Sequence, residues 1–191
     1  MAEKDNTFDS YRSRVIELYT RVDQAEIGLF ANTIKNVIAD SGTIYILGNG
    51  GSASTASHFA TDLINLSHRL DKGLRVFSLV DNLSLISAIA NDISYDDVFL
   101  VQLQKIVRAN DLVFSISASG NSANLIKAVT YSNEIGAITA SLLGFDGGIL
   151  KNISKLSCHL PSNINEYGPV EDIHLSICHY LALSIKYNYE I

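Results

Sequence analysis

The chain has 191 residues, 47% of them hydrophobic, a formal net charge of -6 and a pI near 5.2. That length and composition suit one domain with a full core, and the acidic balance argues against nucleic acid as the main partner, because a basic footprint normally supplies that affinity. Two cysteines, Cys158 and Cys178, are too few for a disulfide framework in a chain that can fold unaided, so they read as reduced, buried and structural.

The start, MAEKDNTFDS, has neither a basic nor an apolar leader region, and no apolar run is long enough to span a bilayer. A soluble cytoplasmic protein with no membrane partner is therefore the expectation. Tyr11, Val15, Leu18, Tyr19 and Val22 recur at helical spacing, as do Ile27, Phe30, Ala31, Ile34, Val37 and Ile38. Between the two sets, Asp23 and Glu26 stand as a capping box requires. The first forty residues thus predict two amphipathic helices ahead of any strand. After Gly42 the rhythm changes to short apolar runs separated by helical patterns: Thr43 to Leu47, Leu74 to Val80, Leu112 to Ile116, Ala137 to Leu142, and Lys155 to Leu160. Runs of this kind mark a parallel sheet covered on both faces, in an α/β fold. A last helix starting near Gly168 and Pro169 carries Ile173, Ile177, Leu181 and Ile185. The expected organisation is a single domain over 1–191, with a helical pair at 1–41 and an α/β core at 42–191.

In open parallel sheets, ligands bind beyond the carboxyl ends of the strands, where strand order switches. Three loops qualify: GNGGSAS (48–54), SASGNSAN (117–124) and GFDGG (144–148). The first two offer small hydroxyl side chains and free backbone N–H groups at helix starts, a setting for an anion. Ser52, Ser117, Ser119 and Ser122 can donate four hydroxyl hydrogen bonds to one phosphate. Serines that merely cap their helices are the plainer reading of either loop alone. Neither loop has the Gly-Lys-Ser/Thr ending of a nucleotide-binding P-loop. Gly48, Gly50 and Ala53 do satisfy a dinucleotide-type G-x-G-x-x-A, but the first acid ending the next strand, Asp81, lies well beyond the expected ribose-binding position. A monophosphate held by hydroxyls and amides fits better.

Two helix faces carry titratable groups. His58 and Asp62 are four apart and share a face, while Glu171, Leu175 and His179 form one stripe with His174 turned away. If both helices border the site, His58, Asp62, Glu171 and His179 converge there to bind a divalent metal or move protons. Glu171 and His179 lie about 12 Å apart along a straight helix, so both reach one ligand only if it lies between them or if the first turn is irregular. A lone helical histidine is more often structural.

The stretches GNGGSASTASHFATDL, AIANDISYDDVF, SISASGNSANLIKA, GFDGG and EDIHLSICH, in this order and spacing, resemble the sugar isomerase (SIS) domain, and within it the phosphoheptose isomerases. The resemblance implies a three-layer, flavodoxin-like fold with a five-stranded parallel sheet. It also implies a homotetramer with active sites between subunits, the leading helices helping to build the assembly. The implied reaction interconverts sedoheptulose 7-phosphate and D-glycero-D-manno-heptose 7-phosphate through an enediol, toward the heptose of lipopolysaccharide and related surface glycans. It calls for no nucleotide or redox cofactor. By the same resemblance the phosphosugar is bound by Asn49, Gly50, Gly51, Ser52, Ser117, Ser119 and Ser122, with Asn91 and Asp92 as further contacts. Asp62 and His179 are the implied base and acid, and zinc is the implied metal, through His58, Asp62, Glu171 and His179.

Four positions depart from that pattern: Asp62 replaces a glutamate, Glu171 a glutamine, Ala118 a threonine, and a residue at about Gly168 an aspartate. The shorter Asp62 carboxylate is misplaced by more than about an ångström, enough to slow a reaction by about 10²-fold. Glu171 is accordingly expected to join the catalytic or metal-binding group. Loss of one hydroxyl at Ala118 removes about 0.5 to 1.5 kcal/mol, which four serines can absorb. An isomerase of another ketose phosphate, or a non-catalytic SIS protein that binds a phosphosugar or a protein partner, is the rival reading. Both histidines with their acids favour the enzyme, and the altered acids favour the rival.

Overall fold

The structure, a computed structural model, describes residues 7–67 and 73–189. The first six residues, part of the leader reading above, lie outside it. The chain opens with helix α1 (Phe8–Tyr19), capped by the Thr7 hydroxyl, and α2 (Gln24–Ala39), capped by Asp23. Only half of the expected capping box is seen in its expected role. Asp23 accepts from the Ala25 amide, while Glu26 accepts from the His159 amide across the fold. Helix α2 buries the set read from the sequence, Ile27, Phe30, Ala31, Ile34, Val37 and Ile38, whereas α1 buries only Leu18, with Tyr11 and Tyr19 exposed and Val22 beyond its end.

Strand β1 (Thr43–Gly48) leads into α3 (Gly51–Ser67), and β2 (Arg75–Ser78) into α4 (Leu83–Asp92). A 3-10 turn (Tyr95–Asp97) and α5 (Leu100–Ile106) precede β3 (Leu112–Ser117) and α6 (Ala123–Ile135). Then follow β4 (Ile138–Leu143), α7 (Leu150–Ile153), β5 (Leu156–His159) and the long α8 (Tyr167–Tyr189). All five strands are parallel, in the order β2-β1-β3-β4-β5. β2 is shorter than the apolar run Leu74 to Val80, because it is an edge strand with a single fully buried residue, Val76.

The sheet divides the core in two. Ile44, Ile46, Phe114 and Leu142 face α1, α2, α3 and α8, while Tyr45, Leu47, Val113 and Leu143 face α4 to α7. This alternation is the period of two that a strand imposes, and it produces the three layers. The leading helices belong to the first of these cores. Tyr11 on α1 donates to Asp172 on α8 at 2.6 Å, and the Arg14 guanidinium grips Glu166 with Nε 2.5 Å from Oε1. Among the described residues no helix is long and apolar enough to cross a membrane. Cys158 and Cys178 are buried free thiols; burial pushes the Cys178 thiol far above its ordinary value, so it packs as an inert apolar group.

The order of strands matters for function. The order in which successive strands are added reverses between β1 and β3, which are parallel neighbours with Gly48 opposite Ile116. The loops after these two strands therefore diverge from a common crevice.

Candidate active site

The loop after β1 turns sharply at Gly50, whose φ of +55° suits glycine. Gly51 then opens α3 against the Glu171 carboxylate, which a Cβ at this position would force to shift. Ser52 follows, 4% exposed. In the loop after β3, the Ser117 hydroxyl accepts from the Gly120 amide at 3.0 Å and that of Ser119 from the Asn121 amide at 3.3 Å. Ser122 takes the N-cap position of α6 with extended backbone, yet its side chain makes no capping hydrogen bond. Its hydroxyl is thus available to a ligand, and simple capping does not explain it.

Ser52, Ser117, Ser119 and Ser122 line one pocket of about 120 Å³ together with Asn49, Ala118, Tyr167 and Glu171. The two loops are tied by a reciprocal amide pair. Asn49 Nδ2 donates to Asn124 Oδ1 at 2.9 Å, and Asn124 Nδ2 returns the bond to Asn49 Oδ1 at 3.0 Å. Tyr95 adds a third bond to this network, its hydroxyl donating to Asn49 Oδ1 at 2.9 Å. Asn124 and Tyr95 were missed as site residues, although both lie inside the quoted motifs; nothing local marks which asparagine of a loop will meet another. The segment holding Asn91 and Asp92 reaches the site through Tyr95. Asn91 and Asp92 themselves are exposed at the end of α4, the Asn91 amide donating to the Asp92 carboxylate.

The third loop, GFDGG, lies behind the second rather than lining the pocket. A Cβ on Gly120 would overlap the Gly147 carbonyl, and the Leu150 amide donates to the Gly120 carbonyl at 3.0 Å. The loop props the serine loop and holds its shape.

A second group of polar side chains lies farther along the groove between α3 and α8. His58, Asp62 and His179 each place a ligand atom within 4.8 Å of the others. His58 Nε2 is 3.0 Å from His179 Nε2, and Asp62 Oδ2 is 3.5 Å from the former and 3.9 Å from the latter. Asp62 and His179 also border an open cavity of about 320 Å³ with Asn65, Leu66, Ala182 and Leu183. Two imidazole nitrogens and a carboxylate oxygen suit a catalytic zinc with an open coordination position.

Glu171 is not in that group. The four-residue convergence resolves into three residues at one end and Glu171 at the other, because two helical turns separate Glu171 from His179 and α8 runs regularly between them. Glu171 sits against Gly51 at the serine pocket, where burial, and then the neighbouring Asp172 carboxylate, raise its pKa. His174, turned away as expected, is buried on the inner side of α8 and 1% exposed.

Residues 9–144 match the family profile described as SIS domain. A phosphoheptose isomerase of Helicobacter pylori (strain HPAG1) is 39% identical over 149 residues, covering 78% of this chain and 77% of that relative. A probable phosphoheptose isomerase of Thermoplasma acidophilum is 34% identical over 155 residues, 81% of this chain and 84% of its own length. Among solved structures, phosphoheptose isomerase GmhA from Neisseria gonorrhoeae superposes with a TM-score of 0.86 at 27% identity, covering 94% of this chain and 96% of that one.

Proposed function

Because this chain belongs to the SIS domain family and, within it, to the phosphoheptose isomerases, we propose that the groove between α3 and α8 carries out the interconversion of sedoheptulose 7-phosphate and D-glycero-D-manno-heptose 7-phosphate. The observation that carries this reading is the division of the groove. A cradle of serine hydroxyls and backbone amides stands at its start, and a group of two histidines and a carboxylate stands two turns along α3. The six residues from Ser52 to His58 rise roughly 9 Å. A heptose 7-phosphate has the same polarity, with its phosphate at one end and its reacting C1–C2 pair at the other.

Ser52, Ser117, Ser119 and Ser122 hold the phosphate, aided by the amides at the starts of α3 and α6. Binding energy from that remote group positions the reacting carbons. Asp62 carries the proton between adjacent carbons and His179 serves the oxygens, the division of labour that an enediol mechanism needs. His58, Asp62 and His179 would hold a zinc ion, which would supply Lewis-acid polarisation of the substrate oxygens. Glu171, expected among the catalytic and metal-binding groups, belongs to substrate recognition at the phosphate end. Asn91 and Asp92 approach the sugar from the segment that Tyr95 anchors.

The single domain spans 1–191 and assembles as a homotetramer through its leading helices, with the sites between subunits. Support comes from large apolar side chains left in solvent on those helices, Phe8, Ile16 and Leu29. Cytoplasmic synthesis of heptose for lipopolysaccharide or a related surface glycan is the matching role.

Proton NMR of the purified protein with sedoheptulose 7-phosphate in deuterated buffer tests the reading, run with added zinc and with a chelator. Aldose heptose phosphate should appear, with deuterium at the exchanged carbon. No conversion and no deuterium uptake under either condition would reject it.

A further inference from the structure

The serine pocket is rich in donors but poor in positive charge. Among the described residues that line it there is no lysine, arginine or histidine, while Glu171 contributes a carboxylate. A phosphate monoester brings close to two negative charges at neutral pH. The starts of α3 and α6 supply only about half a positive charge each. The Glu171 carboxylate already occupies the space over Gly51 at the first of these helix starts. Burial and the adjacent Asp172 both disfavour charge on it, so the site holds this acid at an electrostatic cost.

A carboxylate at such a position has one constructive use. It accepts hydrogen bonds and donates none when ionised, so it repels an approaching anion unless that anion also brings donors. A sugar phosphate brings hydroxyl groups next to its phosphate; a simple phosphate ester brings none. Discrimination by a repulsive element that only the correct ligand neutralises is a general route to specificity. We propose that Glu171 is a specificity-determining residue that makes the cradle select phosphates carried on a polyhydroxy chain and reject phosphoesters without hydroxyls. This inference rests on the phosphate-cradle reading above.

Calorimetric titration of the full chain with methyl phosphate and with sedoheptulose 7-phosphate tests it. Glu171→Gln removes the charge and keeps the shape. The variant should bind methyl phosphate about tenfold tighter than the parent, since a like charge in the site is costly, while its affinity for sedoheptulose 7-phosphate stays level or falls. Glu171→Ala should move methyl phosphate in the same direction, which guards against an unfolded first variant. If methyl phosphate gains nothing, or both ligands shift by the same factor, the proposal is overturned. The doubly substituted Ser119→Ala, Ser122→Ala chain separates this from the underlying reading. It should lose both ligands, and retention of both would overturn the cradle itself and the role of Glu171 with it.

Discussion

His58 on α3 and His179 on α8 face each other through their Nε2 atoms, 3.0 Å apart, with ring planes tilted at 61°. Two protonated nitrogens cannot meet at that distance, so at least one ring presents a lone pair. With Asp62 beside both, moving the one proton that can lie between them to the far ring nitrogen leaves two lone pairs and a carboxylate to bind a metal. Zinc should therefore bind the parent chain stoichiometrically in a competition titration against a chromogenic chelator. His179→Ala should weaken it by at least about 10 to 100-fold, the loss seen when even an outer-shell partner of a metal site is removed. Equal zinc affinity in the two chains would show that the cluster is not a metal site.

The two ends of the groove should separate kinetically. Asp62→Asn keeps the size of the side chain and removes its basicity, and should lower kcat by about 10² to 10⁴, the usual contribution of a positioned acid or base. KM should change little. Ser122→Ala removes a hydroxyl that no helix cap uses and should act mainly on KM. Steady-state kinetics over a range of sedoheptulose 7-phosphate decide between this pattern and its reverse.

Acid should destabilise the fold through His174. This side chain is 1% exposed, and burial lowers its pKa from 6.5 to about 4; the nearby Leu143 backbone offsets only part of this and forms no well-aligned hydrogen bond. In the folded state the ring stays neutral, whereas in the unfolded chain it takes up a proton below its ordinary value. The unfolded state thus binds more protons across that window. The associated stability is intact above pH 6.5 and is lost as pH falls toward 4, by roughly 3 kcal/mol in all. Calorimetric melting of the parent and of His174→Leu across the window should show the shallower decline in the variant, since every other acid is shared. Parallel curves would exclude His174 as the cause.

Two glycines with positive φ should respond differently to alanine. Gly136 ends α6 at φ +89° with its nearest obstacle, Ala109 Cβ, 3.7 Å away, so Gly136→Ala meets only left-handed backbone strain, about 1 to 2 kcal/mol. Gly120, at φ +65°, also faces the Gly147 carbonyl. Gly120→Ala must push the serine loop off its support and should cost more in urea unfolding. It should also reduce the thermal protection given by phosphosugars. A smaller loss than at Gly136 would remove the GFDGG loop from its supporting role.

Much of the fold is visible in local pattern. The five strands coincide with the short apolar runs to within a residue or two at each end, most closely in β1, β3 and β4, which are buried almost throughout on both faces and admit few polar residues. Only β2 falls clearly short, since an edge strand needs less apolar sequence than Leu74 to Val80 offers. Helix α2 is visible for a related reason: its buried residues recur every three or four positions, whereas α1 buries only Leu18. Within the site, the four-residue spacing of His58 and Asp62 was enough to put them together. On α8, His179 joins them as expected, but the separation of Glu171 from that group was not visible. Spacing within a helix says which residues share a face, not which of them lies opposite a given turn of another helix.

The amino-acid sequence by itself determined the α/β class, the positions of the glycine and serine loops at strand ends, and the helix faces that carry histidines and acids, because all of these follow from periodicity and backbone preference over a few residues. Tertiary structure alone decided how those pieces meet. The offset between α3 and α8 sets Glu171 against Gly51 and His179 against His58. The strand order brings the two serine-bearing loops to one crevice, where Asn49 and Asn124 lock them together. The third loop becomes a support because its glycines admit the backbone of the second. These are relations between residues far apart in the chain, fixed by side-chain volumes and by the geometry of packed layers, and no local pattern encodes them.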